Sequence, residues 1–451
     1  MVLGFRNLVL LGVCWSFGLI LPHFQSDPGL ADLAFDTFVV ALLAYSVWVI
    51  LNQDEINSCA LNFWVTGLFI SLFLASYLSL QFGFPVFYDI WSHLGSGPME
   101  IEGRPFPFGD LAATTKAATC PGGVVLAVNS CDPWQRAFNQ NPDVPGVLNF
   151  TGLTNLAVLG IGSFLLLVVL LLAILRKKKI ESIAFALFIF SPAVALAVDR
   201  GNEVLTLLFI LVGLVTLQSK TKLMGLVSGV FFFSAIFLKL WPILLVFLLT
   251  IFSTSRTRIR LLLVLIPSVG YWLLNLTEIN KMISSTQEGS PHGVAFGLKL
   301  FFSERTSFAN SAYLMVFSLV IVGGWVFINS KNAFKSTEKL MGDHRLTILV
   351  PLMLTYVGIW AVSDSFIYRM LVLLPTLLIL IEPDLLEELW VRSLVAMILV
   401  TVISSRLAVT TAISTSLALV MLFISVAYTK QRVESYLGYS HDKDLGIATN
   451  K

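Results

Sequence analysis

The stretch Ser182–Leu217, SIAFALFIFSPAVALAVDRGNEVLTLLFILVGLVTL, decides the fold. Two apolar runs, Ser182–Val198 and Glu203–Leu217, flank the polar group Asp199-Arg200-Gly201-Asn202-Glu203. Together the two runs allow about 17 residues per crossing, the short limit for a bilayer's hydrocarbon core. Almost nothing is left over for a loop, so three charges and an amide are forced to the hydrocarbon boundary. A charge at a span centre costs about 2.5–3.5 kcal/mol on insertion scales. Charges at span ends cost less, yet a cluster there still calls for partners. The plain alternative is a tight turn with a local ion pair, in which Gly201 supplies a positive φ.

Outward from this stretch the pattern repeats. The chain is 57% apolar and 12% charged, against about 25% charged in a soluble domain. A mean hydropathy of +0.85 cannot come from one buried core. Spans are expected near Asn7–Leu21, Asp36–Leu51, Phe63–Phe82, Gly152–Leu175, Ser182–Val198, Glu203–Leu217 and Leu223–Leu238. More follow near Ile243–Phe252, Leu261–Leu276, Ser311–Asn329, Leu346–Val362, Leu371–Ile381, Val391–Ser404 and Leu407–Tyr428. The segment Met1–Leu21 lacks a small-residue cleavage site and reads as an uncleaved first span. The expected fold is all-α, a polytopic transmembrane bundle of about 12–14 spans. Its parts are an N-terminal transmembrane hairpin with the third span (1–82), an extracytoplasmic loop (83–150), a transmembrane core (151–381), C-terminal spans (382–429) and a cytoplasmic tail (430–451).

The positive-inside rule orients this layout. It assigns most of the 29 Lys and Arg, among them Arg6, Arg176 to Lys179, Arg256, Arg258, Arg260 and Arg345, to the cytoplasm. Both termini come out cytoplasmic, and the long Gly- and Pro-containing segment Gly83–Asn149 faces outward, as expected of a multi-pass plasma-membrane protein. Cys120 and Cys131 lie in that segment, in a compartment that permits a disulfide. The net charge of +2 comes with no soluble basic domain, so no nucleic-acid partner is expected. The five histidines are scattered singly, which predicts no protein-built metal centre and no cofactor. No Gly-rich loop precedes a Lys-Ser/Thr pair, which disfavours an ATP-driven pump.

Two further clusters stand at outer span ends: Lys239-Leu240-Trp241-Pro242, and Ser363 to Met370 with Asp364, Tyr368 and Arg369. Lys239 alone reads equally well as a snorkelling lysine, and Arg369 as a partner of Asp364. The guanidinium fork also suits a phosphate. Three clusters from distant spans on one face suggest a site for a lipid-linked phosphate, headgroup at the interface and tail in the bilayer.

Four motifs in order resemble a known family. Phe108-Gly109-Asp110-Leu111, then Cys120-Pro121-Gly122-Gly123, Asn129 to Pro133 and Arg136 to Asn139, resemble the first large outer loop of polyprenol-phosphate-sugar-dependent glycosyltransferases of the GT-C superfamily, in the mannosyltransferase-like group numbered family 87. The Asp-Arg-Gly-Asn-Glu turn is similar to that group's Arg-Gly-Asn/Gln turn. Lys239-Leu240-Trp241-Pro242 is similar to its Lys-aromatic-Pro element, and Tyr368-Arg369 to a late Tyr-Arg. The resemblance covers most of Phe108–Arg369. Two extra spans precede the loop here, and Val124-Val125 stand where a Tyr often follows the glycine.

The resemblance implies an inverting, metal-independent sugar transfer from a polyprenyl-phosphate-linked donor to a lipid-linked or glycan acceptor among the membrane lipids. Asp110 is the candidate base that takes the acceptor hydroxyl proton; Asp27, Asp32 and Asp36 in the earlier loop His23–Asp36 are the alternatives. Arg369, Lys239 and Arg200 are the candidate contacts to the leaving phosphate. Asp199, Asn202, Glu203 and Tyr368 are expected at the sugar or acceptor, as are Arg305 and His292 of the polar segment Glu278–Asn310. Asp132 and Arg136 are expected to shape the loop. A secondary transporter or flippase, and a polysaccharide ligase or polymerase, stay open as other readings. The charges gather at one face rather than midway across the bundle, and no inverted repeat is visible, which favours the transferase over the transporter.

Overall fold

The computed structural model describes residues 100–101, 104–105, 108–118, 120, 141, 143–177, 182–219, 221–277, 280, 295–296, 308–339, 344–362, 365–404 and 410–444. The three spans expected within 1–82, and Asp27, Asp32 and Asp36 with them, lie outside the described residues. Nearly all the described chain is helical. In order come α1 (Gly109–Ala118), α2 (Val144–Thr151), α3 (Leu156–Lys177), α4 (Ser182–Ile189), α5 (Pro192–Arg200), α6 (Asn202–Leu217), α7 (Lys222–Leu238), α8 (Pro242–Phe252) and α9 (Ser255–Leu274). Then follow α10 (Phe308–Lys339), α11 (Leu346–Val362), a 3-10 segment (Ile367–Val372), α12 (Leu373–Leu380), α13 (Pro383–Leu386), α14 (Leu389–Ile403) and α15 (Thr410–Asp444). Two antiparallel two-residue ladders interrupt them: β1 (Glu100–Ile101) with β2 (Arg104–Pro105), and β3 (Ala295–Phe296) with β4 (Ser365–Phe366).

Local chemistry sets the boundaries. Ser191 caps α5 by accepting from the Val194 amide at 3.4 Å, and Pro192 fills the first helical position, where its missing N–H costs nothing. This cap breaks the run expected as one span over Ser182–Val198 into α4 and α5. Gly201 ends α5 at φ 78°, the positive φ of the tight-turn alternative, and α6 starts at the next residue. Gly152 ends α2 at φ 70°, so α3 begins four residues after the expected Gly152, at Leu156. The helices Asn202–Leu217, Leu346–Val362 and Leu389–Ile403 lie within two residues of their expected bounds. By contrast, α15 continues unbroken past 429–430, where the last span was expected to give way to the tail.

Among the described residues, three helices are long and apolar enough to cross a membrane: Ser255–Leu274, Tyr313–Lys331 within α10, and Thr411–Ser435 within α15. The first two are only 28% and 17% buried, whereas the third is 72% buried and central. Their outward faces are apolar: Leu263, Ile266, Val320 and Phe327 are all exposed. Small polar residues draw α15 against its neighbours. Ser318 of α10 donates to the Ala412 carbonyl at 3.0 Å, and Trp360 of α11 donates to Thr415 Oγ1 at 3.1 Å. Such residues permit close backbone approach where apolar surroundings supply no other driving force. Between α6 and α7, Ser228 donates to the Gly213 carbonyl at 2.9 Å while the Phe232 ring lies on Gly213.

The helix directions give the bundle two unlike ends. At one end α6, α8 and α12 finish, and arginines satisfy the last carbonyls of α8. Arg258 donates to Thr250 and Ser253 carbonyls at 3.1 and 3.2 Å, and Arg432 to the Phe252 carbonyl at 2.9 Å. Arg345 there bridges Glu382 at 2.9 Å and Asp384 at 2.7 Å. At the opposite end α6 and α8 begin, which is where the acidic and basic groups of the candidate site gather.

Candidate functional site

Asp110, Arg200 with Glu203, Lys239 and Arg369 come from four separated segments and meet at one end of the bundle. Asp110 stands in the first turn of α1, whose N-terminal dipole favours a carboxylate. Arg200 is the last residue of α5, and its Nη1 lies 3.8 Å from Asp110 Oδ1, with both side chains about four-fifths buried. Glu203, in the first turn of α6, is 3% exposed. Its Oε2 accepts from Trp241 Nε1 at 3.3 Å, and its Oε1 lies 4.0 Å from Arg369 Nε in the 3-10 segment. A carboxylate so far from water needs such partners, because an isolated buried charge is prohibitive. Lys239 sits in the extended link between α7 and α8. Burial pushes its ammonium down, Glu203 and Asp110 oppose that, and Arg369 reinforces it.

An aromatic wedge fixes Asp110 beside Arg200. Phe108 is 1% exposed and has φ 57°, rare for a residue with a Cβ. A left-handed non-glycine residue costs about 1–2 kcal/mol. Full burial of a Phe side chain returns about 1.5–3 kcal/mol, so packing outweighs the strain. The ring lies on Gly160 of α3, where an added Cβ would come within 2.6 Å of it. On its other side is Gly201, where a Cβ would be 3.1 Å from the ring and 3.2 Å from Leu111 Cβ. The glycine that lets α5 run into α6 therefore also admits the ring that positions α1.

The segment that leads into α2 is clasped to the same face. Asn141, 1% exposed, donates through Nδ2 to the Phe237 carbonyl at 2.7 Å and accepts from the Tyr271 hydroxyl at 2.7 Å. The same hydroxyl also faces Asp143 Oδ2, so its one proton is shared between the two acceptors. Nothing in the local sequence marks Asn141, Tyr271 or Gly160 as site-forming, and Phe108 is marked only as the head of the Phe-Gly-Asp-Leu motif. Each acts through a partner on another element, and only the fold supplies those pairs.

The other expected site residues stand as follows. Asp199 lies in α5 one residue before Arg200, Asn202 opens α6, and Tyr368 precedes Arg369 in the 3-10 segment, which places their backbones at the cluster. Cys120 is disulfide-bonded; Cys131 lies outside the described residues, as do Asp132, Arg136, His292 and Arg305. The β3–β4 ladder brings part of the Glu278–Asn310 segment next to Ser365-Phe366, a few residues before Arg369. Beneath the turn, an apolar cavity of about 20 Å³ is lined by Val198, Val204, Leu371 and neighbours, and the charged residues are not among its walls.

No family model, curated protein or solved structure matches the chain. The chemistry of the site therefore has to be argued from its own groups. Three cations face two carboxylates, and the N-termini of α1, α6 and α8 all start at the cluster. Arg200 and Arg369 already stand opposite Asp110 and Glu203, so this donor set favours an anionic ligand over a divalent cation. It can hold a phosphate by charge, and it offers a carboxylate within the same patch for a proton.

Proposed function

We propose that the chain is a multi-pass membrane glycosyltransferase of GT-C-like architecture, which moves a sugar from a polyprenyl-phosphate donor to a lipid-linked or glycan acceptor on the extracytoplasmic face. The observation that carries this reading is the meeting of Asp110 with Arg200, Lys239 and Arg369 at the bundle end opposite Arg258, Arg345 and Arg432. Apolar outward faces on α9 and α10 support the membrane setting.

In this reading the acceptor hydroxyl attacks the anomeric carbon while Asp110 takes its proton. The bond from the anomeric carbon to the phosphate oxygen breaks, and the electron pair leaves with the lipid phosphate. Negative charge on that phosphate grows towards the transition state. Fixed guanidinium and ammonium groups therefore stabilise the transition state more than the bound donor, which is the condition for catalysis. Glu203 holds Arg369 in place from a dry position, and Arg200 holds the Asp110 carboxylate.

The test is transfer by the purified chain from a panel of radiolabelled polyprenyl-phosphate sugars to membrane lipid acceptors. Asp110→Asn should lower transfer by about 10²-fold or more, the range for a lost general base. Full transfer by that variant sinks the base assignment. Absence of transfer with every donor, together with uptake of the labelled lipid sugar across proteoliposomes, would replace the enzyme with a flippase.

A further inference from the structure

We propose that Asn141 is a positioning residue for Lys239, the clasp that ends α7 so that the lysine points into the charged cluster. This rests on the reading of that cluster as a donor-phosphate site. A helix leaves its last four carbonyls without intrahelical partners, and Phe237 is one of these in α7. The chain leaves the helix at Lys239 in an extended conformation, φ −141° and ψ 145°, and starts α8 at Pro242. Asn141 Nδ2 meets the Phe237 carbonyl at 2.7 Å, and so takes the place of the amide that the next helical turn would have supplied.

Both polar side-chain atoms of Asn141 are engaged. Besides the Tyr271 hydroxyl, its Oδ1 accepts from the Asp143 amide at 3.0 Å, closing a local turn. The Phe237 and Tyr271 rings lie 5.6 Å apart, so the two partners of Asn141 also pack on one another. The helix that follows this turn, α2, packs on α1, which carries Asp110. The clasp thus ties the end of the helix that delivers Lys239 to the loop that delivers the acid. A buried amide with both atoms bonded is costly to replace, because each group left without a partner keeps its desolvation penalty.

The test uses the full chain in lipid nanodiscs and reads Lys239 directly. Trace acetylation followed by peptide mass spectrometry gives the amine reactivity of Lys239, with exposed Lys222 at the other end of α7 as the internal standard. Asn141→Leu, which keeps the volume and removes all three hydrogen bonds, should change the Lys239 rate by about threefold or more, with Lys222 unchanged. Tyr271→Phe, which removes one of the three, should shift it in the same direction by less. An unchanged Lys239 rate in folded Asn141→Leu overturns the proposal. If that variant does not fold, an unchanged rate in Tyr271→Phe does so. In the transfer assay Asn141→Leu should lower kcat/KM by about tenfold in the native background and by less than about twofold beside Lys239→Met. Equal losses in both backgrounds would make Asn141 merely structural. If the native chain transfers no sugar at all, the proposed function falls while the labelling arm still decides the role of Asn141.

Discussion

At the scale of single residues, three glycines separate backbone strain from crowding. Gly146 lies within α2 with nothing near its missing Cβ, Gly152 has φ 70° and open space, and Gly201 has φ 78° with Phe108 and Leu111 against it. Gly146→Ala should be neutral or stabilise by up to about 1 kcal/mol, the helix-propensity gain. Gly152→Ala should cost about 1–2 kcal/mol for the left-handed backbone alone. Gly201→Ala adds overpacking, itself about 1–3 kcal/mol, and should also push α1 away from Arg200. Thermal unfolding in detergent orders the three, and an equal loss at Gly152 and Gly201 would refute the wedge. The positive φ at Gly201 was legible from sequence as the tight-turn alternative, because glycine takes a left-handed backbone at less cost than any other residue of Asp-Arg-Gly-Asn-Glu. The wedge was not legible, because Phe108 and Gly160 meet only when α1 docks on α3.

At the scale of elements, the short apolar helix α8 shows how an end away from the site is held. Its final carbonyls would be orphans, and Arg258 and Arg432 take them, with Arg432 also lying 5.5 Å from the Phe252 ring centroid. Arg432→Met should cost about 1–3 kcal/mol, the penalty for stranding a buried acceptor, and should be measurable as a lowered Tm. Lysine should rescue Arg258 poorly, since one ammonium cannot reproduce the fork that spans two carbonyls. The neighbouring cluster carries a pH signature. Hydrogen bonding from Arg345 holds the Asp384 carboxyl below the usual aspartate range. A carboxyl depressed in the folded state contributes stability above its unfolded pKa of about 3.9, and the contribution is lost as pH falls through the folded value. Asp384 is well exposed, so the effect is bounded at about 1 kcal/mol. Asp384→Asn should therefore lower Tm slightly at neutral pH, and the gap to the native chain should close below the aspartate range. A constant gap across pH would show that the pair contributes nothing through charge. Element boundaries were legible wherever a cap or an apolar run set them, as at Asn202–Leu217 and Leu346–Val362. Ser191-Pro192 carried a readable helix start too, but the apolar run around it reads equally well as one continuous span, and hydropathy alone cannot distinguish a broken helix from a whole one.

At the scale of the whole molecule, the two ends of the bundle differ in kind, and that difference can be tested without any substrate. One end satisfies its arginines within the fold: Arg258 and Arg432 on carbonyls, Arg345 on Glu382 and Asp384. The other end sets three cations against two carboxylates, with one of those carboxylates almost fully buried. If positive charge retained on the inside sets the orientation, the first end is cytoplasmic and the second faces out. Phe150, 92% exposed at the end of α2, and Glu434, an exposed residue of α15 paired with Lys430 at 3.8 Å, then lie on opposite sides of the membrane. Single cysteines placed at each position, in a background in which the four natural cysteines are accounted for by parallel controls, should respond differently to a membrane-impermeant maleimide added to intact cells. Phe150→Cys should react at once, and Glu434→Cys only after the membrane is opened. The reverse pattern would put the charged cluster in the cytoplasm, where a soluble nucleotide-linked donor would be as accessible as a lipid-linked one. Labelling of both from outside would remove the bilayer from between the two ends, and with it the reason for a lipid-phosphate donor.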